Sequence, residues 1–159
     1  MANPIEGATG ARILLVESPY YEAIAAGMRE GALAEIAAAG AVVEVVQVAG
    51  AFELPGAVRL AIRAVAAGRA QYDAYIALGC VVRGDTDHYD HICREAARGL
   101  MDLNVQYGVP VAFGVLTVGL YEQAEMRAAP STSPGWRHNK GREAARAALM
   151  QVALARRFA

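Results

Sequence analysis

Cysteine is nearly missing from this sequence, and so is net charge. The two thiols, Cys80 and Cys93, are too few for a disulfide framework and are not spaced as a zinc pattern. They read as reduced, buried small hydrophobes. A formal net charge of −1 leaves no broad basic surface for nucleic acid or for an anionic membrane. No apolar run is long enough to cross a bilayer. The first residues carry neither the basic patch nor the apolar core of a signal peptide, so a cytoplasmic enzyme or binding protein is expected. Charged residues make up only 19% of the chain against 55% apolar, a balance that collapses rather than stays disordered. At 159 residues the chain fits one domain with a sizeable core.

What the sequence does have is regular alternation. Met1 to Ala11 is polar and glycine-bearing, which predicts a loose arm over residues 1–11, free to lie on a neighbouring subunit, before a single domain over 12–159. Arg12 to Val16 and the valine-rich run Val42 to Val48 read as strands. Ala74 to Leu78 and Val111 to Leu116 read the same way. Between them, Ile24, Met28, Ala32 and Ile36 recur at helical spacing up to Gly40, with Ser18 or Pro19 able to open that helix. Val58, Ile62 and Val65 mark a second helix that ends near Gly68 and carries Pro55 in its first turn. Ile92, Ala96, Leu100 and Leu103 mark a third, stopped by Gly108-Val109-Pro110. A short helix over Leu120 to Ala129, a break over Pro130 to Asn139 and a final helix from Lys140 complete the chain. Strand and helix alternate throughout, which implies a four-stranded parallel sheet with helices on both faces, an α/β fold.

The densest chemistry lies between Gly79 and Cys93, in GCVVRGDTDHYDHIC. This stretch reads as the crossing from the third strand into the third helix, with Gly79 and Gly84 loosening the backbone. Such crossings lie at the carboxyl ends of strands, where open α/β sheets bind ligands. Backbone N–H groups at a helix start favour an anion, and a histidine beside an anion can move protons near neutral pH. Tyr20 follows the first strand, Ala51, Phe52 and Glu53 the second, and Cys80 to His88 the third; Phe113 lies in the fourth strand and Arg127 soon after it. On one rim, this set suits a flat polar heterocycle and an anionic co-substrate.

Each residue also has a plainer reading. Tyr20 could be a half-buried tyrosine at a helix start. Glu53 could be a first-turn acid favoured by the helix dipole. His88 could cap its helix, and Arg127 could be a solvated helix-face charge; Lys140 is equally ambiguous. Asp87, His88, Asp90 and His91 have no further ligand at metal spacing elsewhere, so no metal is expected.

Taken together, these motifs resemble the 6,7-dimethyl-8-ribityllumazine synthase family over nearly the whole chain. The strongest pieces are Gly50-Ala51-Phe52-Glu53-Leu54-Pro55 and the run Leu78 to Tyr89. Gly114-Val115-Leu116-Thr117, Glu122-Gln123-Ala124 with Arg127, and Asn139-Lys140-Gly141 add to them. The resemblance implies a three-layer flavodoxin-like sandwich. It implies condensation of 5-amino-6-(D-ribitylamino)uracil with 3,4-dihydroxy-2-butanone 4-phosphate, the penultimate step of riboflavin synthesis, with no metal or redox cofactor. It makes Tyr20 the ring-stacking aromatic, and it makes Ala51, Phe52, Glu53, Cys80, Val81 and Val82 the pocket for the ribityl-bearing pyrimidine. Asp85 and Thr86 would hold phosphate with Arg127, and His88 would shuttle protons. Phe113 and Arg127 would act in the pocket of the adjacent subunit of a homopentamer.

Three departures bear on that reading. Cys80 stands where the family often has threonine. Asp85 puts a carboxylate beside the expected phosphate, so its side chain must turn away. The segment Ala129 to His138 is longer than in relatives that build sixty-subunit shells, which favours a free pentamer. Two other readings share some of these features: a flavodoxin-like module that holds a flavin or lumazine without turnover, and a shell protein with a vestigial pocket.

Overall fold

The runs read above as doubly buried strands pair side by side in a computed structural model that describes residues 5–159. They are β1 (Arg12–Glu17), β2 (Val42–Gln47), β3 (Ala74–Val82) and β4 (Val111–Val118). All pairings are parallel and the order is β2-β1-β3-β4. The central strands explain their composition: Ile13 to Glu17 and Ala74 to Cys80 are buried without interruption, as strands covered on both faces must be. β2, at one edge, leaves Val42 and Val45 exposed.

The helices are α1 (Glu22–Ala38), α2 (Leu54–Ala66), α3 (His88–Tyr107), α4 (Tyr121–Arg127) and α5 (Lys140–Phe158). Two apolar clusters place them. Ile24, Met28 and Ile36 of α1 join Ala144, Ala148 and Val152 of α5 on one face of the sheet. Leu54, Val58 and Ile62 of α2 join Leu100 and Leu103 of α3 on the other. The result is the three-layer α/β sandwich expected, with the flavodoxin-like strand order. Among the described residues no helix is long and apolar enough to cross a membrane.

Several boundaries differ from the sequence reading. β3 does not stop at Leu78. Gly79 to Val82 continue it, paired with Val115 to Val118, so the crossing shrinks to Arg83–Asp87. Gly79 is therefore a packing glycine rather than a hinge: a Cβ there would stand 3.2 Å from Leu54 Cδ1. Neither Ser18 nor Pro19 opens α1; Tyr21 is its N-cap, and the Ser18 hydroxyl is buried without a partner among the described residues. Glu53 ends a 3₁₀ turn over Ala51–Glu53 that leads into α2. The break after α4 contains a second such turn, Pro134–His138.

Of the arm expected over residues 1–11, residues 1–4 lie outside those described. The rest is seated on its own chain rather than loose. Ala8 and Ala11 are fully buried, Ile5 packs against the α1–α5 cluster, and Arg156 donates to the carbonyls of Gly7 and Thr9.

A buried carboxylate ties the carboxyl end of β1 to its surroundings. Glu17 is 1% exposed, and its Oε1 accepts from Arg29 at 2.5 Å and from Gln47 Nε2 at 2.8 Å. The crossing that follows, Ser18 to Tyr21, starts from this fixed point.

Candidate active site

Strand order decides where a ligand can sit. β1 connects outward to β2 on one side, while β3 leads to β4 on the other, so the connections diverge at the carboxyl ends of β1 and β3. Open α/β sheets hold their ligands in that crevice. A cavity of about 590 Å³ occupies it. Tyr20 and Tyr21 reach it from β1, and Gly50 to Glu53 from the turn before α2. Cys80, Val81 and Val82 line it from the last residues of β3, and Gly84, Thr86 and His88 from the crossing and the start of α3.

The walls have distinct chemistry. Tyr20 is 72% exposed at the mouth, its ring edge-on to Tyr21 with centroids 5.0 Å apart. Tyr21 in turn meets Tyr121 at 5.7 Å, so one aromatic row backs this side. Phe52 and Glu53 are also exposed at the mouth. Cys80 forms the apolar floor, and burial pushes its thiol up to about 11; it stays protonated and does not act as a thiolate. Cys93 is free as well, though only half-buried.

Across the cavity lies the start of α3. Thr86 Oγ1 accepts from the His88 backbone N–H at 3.4 Å, which leaves the Thr86 hydroxyl hydrogen available to a ligand oxygen. The first-turn N–H groups add the positive end of the helix dipole. Arg83 brackets this loop: it pairs with Asp90 at 3.1 Å and stacks over the Tyr89 ring at 4.3 Å. Asp85 is exposed and is not among the residues that line the cavity, against the expectation that it helps hold phosphate there. His88 is exposed, with its side chain on the cavity.

The single rim expected for all these residues does not hold within one chain. Phe113 lies in mid-strand, paired in register with Ala77 rather than at the carboxyl end of β4. It and Arg127 line a separate cavity of about 370 Å³ with Thr117, Lys140 and Glu143. There Lys140 pairs with Glu143 at 2.6 Å, and Arg127 donates to the Gln123 carbonyl at 2.9 Å. The crevice opens at the carboxyl ends of the strands, and Phe113, only the third residue of β4, lies short of it.

Tyr21, which follows Tyr20 after the first strand and was expected on the same rim, lines the cavity too, whereas sequence reasoning missed Tyr89 and Ile92 as parts of its wall. Tyr89 and Ile92 were legible in principle, since an aromatic and an apolar residue three positions apart share one face of a helix.

Comparison with known proteins bears on this constellation. A sequence profile described as 6,7-dimethyl-8-ribityllumazine synthase matches residues 10–156. The chain is 48% identical to 6,7-dimethyl-8-ribityllumazine synthase 1 of Rhodopseudomonas palustris (strain ATCC BAA-98 / CGA009), over 95% of this chain and 90% of that one. It is 50% identical to the synthase of Methylobacterium radiotolerans over 92% of this chain and 84% of that one. With the synthase of Azorhizobium caulinodans the identity is 45%, over 98% and 93%.

Proposed function

The chain belongs to the 6,7-dimethyl-8-ribityllumazine synthase family, and on that premise we propose that it condenses 5-amino-6-(D-ribitylamino)uracil with 3,4-dihydroxy-2-butanone 4-phosphate. The products are 6,7-dimethyl-8-ribityllumazine, phosphate and two waters. The observation that carries this reading is the crevice between β1 and β3. It brings Tyr20, the turn Ala51 to Glu53, Thr86 and His88 to one cavity.

In this reading Tyr20 stacks on the pyrimidine, while Ala51, Phe52 and Glu53 hold its edge and the ribityl chain against Cys80, Val81 and Val82. Thr86 and the N–H groups at the start of α3 take the phosphate. The pyrimidine amine attacks the ketone and loses water to form an imine. His88 then takes and returns protons while phosphate leaves, and the ribityl nitrogen closes the ring with loss of the second water. Each step moves protons and positions carbonyl carbons, work that side chains and backbone can do unaided.

The separate placement of Phe113, Arg127 and Lys140 supports a shared site. These residues fit a role in the cavity of an adjacent protomer, where Phe113 would cover the pyrimidine and Arg127 would fork onto the phosphate. A closed ring of five such chains, each of 16.7 kDa, would have a mass of about 80–85 kDa. The exposed edges of a four-stranded sheet favour such a partner. The cytoplasm is the compartment that free thiols favour.

Incubating the protein with both substrates tests the activity. Lumazine fluorescence should rise in step with released phosphate. Tight binding of lumazine with no phosphate release would instead identify a binding module.

A further inference from the structure

The chain between Arg127 and Lys140 leaves the sandwich after α4 and returns to it at α5, and one side chain closes the base of that excursion. Asn139 is 1% exposed. Its amide Nδ2 donates to the Gly27 carbonyl at 2.8 Å and to the Ala129 carbonyl at 2.9 Å. Its Oδ1 accepts from the Gly141 N–H at 2.8 Å and the Arg142 N–H at 3.1 Å. Two donors and two lone pairs are thereby all used, the full capacity of an asparagine side chain. One group joins α1, the exit from α4 and the first turn of α5.

The surface of α1 beneath it is shaped to receive this clamp. A Cβ on Gly27 would stand 1.9 Å from the Ala128 carbonyl oxygen, and one on Gly31 2.2 Å from Asn139 Oδ1. From the other side, a Cβ on Gly141 would stand 1.8 Å from the Met28 carbonyl oxygen. Backbone lies directly on backbone here, so the base of the excursion has little room to shift.

Arg127 lies just before one end of this clamp and Lys140 directly after the other, and both face the cavity that also holds Phe113. The geometry points to Asn139 as a positioning residue: it sets Arg127 and Lys140 relative to each other and to the edge of β4, and touches no substrate itself. The inference rests on the reading of Arg127 as a phosphate ligand. A side-chain misplacement on the scale of 1 Å suffices to cost rate far beyond what lost stability alone would do.

The test is steady-state kinetics on the full-length assembled protein, well below its unfolding temperature, with each substrate varied in turn. Asn139→Ser keeps an oxygen to cap α5 but removes both amide donors. It is expected to raise KM for the butanone phosphate about tenfold, with KM for the pyrimidine within about twofold. Asn139→Asp keeps the volume and the cap acceptor but loses the same donors, and carries the decision should Asn139→Ser give no soluble protein. Gly27→Ala pushes the clamp from the α1 side and is expected to produce the same split. Ser131→Ala removes only the bond to Glu30 near the excursion's tip and should keep wild-type constants. Lowered melting temperature with an unchanged KM for the phosphate substrate in the Asn139 and Gly27 variants would overturn the positioning role. If Arg127→Ala itself leaves that KM unchanged, the phosphate reading fails and the inference with it. A raised KM in Arg127→Ala beside unchanged values in the Asn139 variants defeats the inference alone.

Discussion

The backbone N–H of Ser18 donates to the Leu78 carbonyl at 2.9 Å. This bond joins β1 and β3 beyond the last register pair, Glu17 with Leu78, at the point where their connections part. It fixes the crossing that carries Tyr20 to the strand that carries Cys80 to Val82. The two halves of the cavity are thereby tied at their base, and substitutions of exposed residues at its mouth should act on binding and turnover rather than on the fold.

His88 is the sharpest case. Its side chain is exposed and has no hydrogen-bond or ion-pair partner among the described residues, so His88→Ala should leave the melting temperature within about a degree or two. Turnover should fall by about 10²–10³-fold and still exceed the uncatalysed rate, because positioning survives. Initial rates of lumazine formation measure this; a wild-type kcat would remove His88 from the mechanism.

Gly114 should behave in the opposite way. A Cβ there would stand 2.5 Å from Leu78 Cδ2, 2.9 Å from the Ala77 carbonyl oxygen and 3.0 Å from Ala144 Cβ. Gly114→Ala overpacks the contact between β4 and α5 and should cost about 1–3 kcal/mol. Urea unfolding with an unchanged m-value would register the loss as stability.

Cys80 gives a pH dependence of definite sign. Burial raises its thiol from an ordinary 9.0 to about 11. As pH climbs through that window the unfolded chain releases the proton first, so the stability contributed by the neutral buried thiol is lost from about 9 upward and is intact below it. Alkylation followed by peptide mass spectrometry should find Cys80 far slower to react at pH 8 than an unfolded control. Rapid labelling of Cys80 in the folded protein at that pH would contradict the buried, protonated floor.

Assembly is open to direct sizing. With Ser131 held by Glu30 and Trp136 stacked on Arg142 at 4.9 Å, the segment after α4 stands as a fixed bulge. We expect it to obstruct packing of one ring on another. Light scattering should give about 80–85 kDa, five subunits under cyclic symmetry, and a megadalton particle would refute the expectation.

The layers were legible in the sequence because strands buried on both faces read as unbroken apolar runs and the helices between them kept one apolar stripe. Boundaries were less so. Gly79 looked like a turn because a glycine after a strand usually is one, yet here it makes room for Leu54. The residues of the β1–β3 crevice could be read from their place after strands. Phe113 could not, since its distance from the crevice follows from the register of β4 against β3, which pairs it with Ala77. The seat of the excursion was equally hidden: Gly27, Gly31 and Asn139 come together only once α1 and α5 pack side by side.

The central claim, a site built from two protomers, is tested most directly by subunit complementation. His88→Ala and Arg127→Ala chains are unfolded together, mixed in equal amounts and refolded. Each mixed ring then holds some seams where an intact His88 meets a neighbour's intact Arg127, about a quarter of all seams if the chains assort at random around a cyclic ring. The account predicts recovery of about a quarter of wild-type turnover. Activity no greater than the mean of the two variants assayed separately would show that each chain works alone.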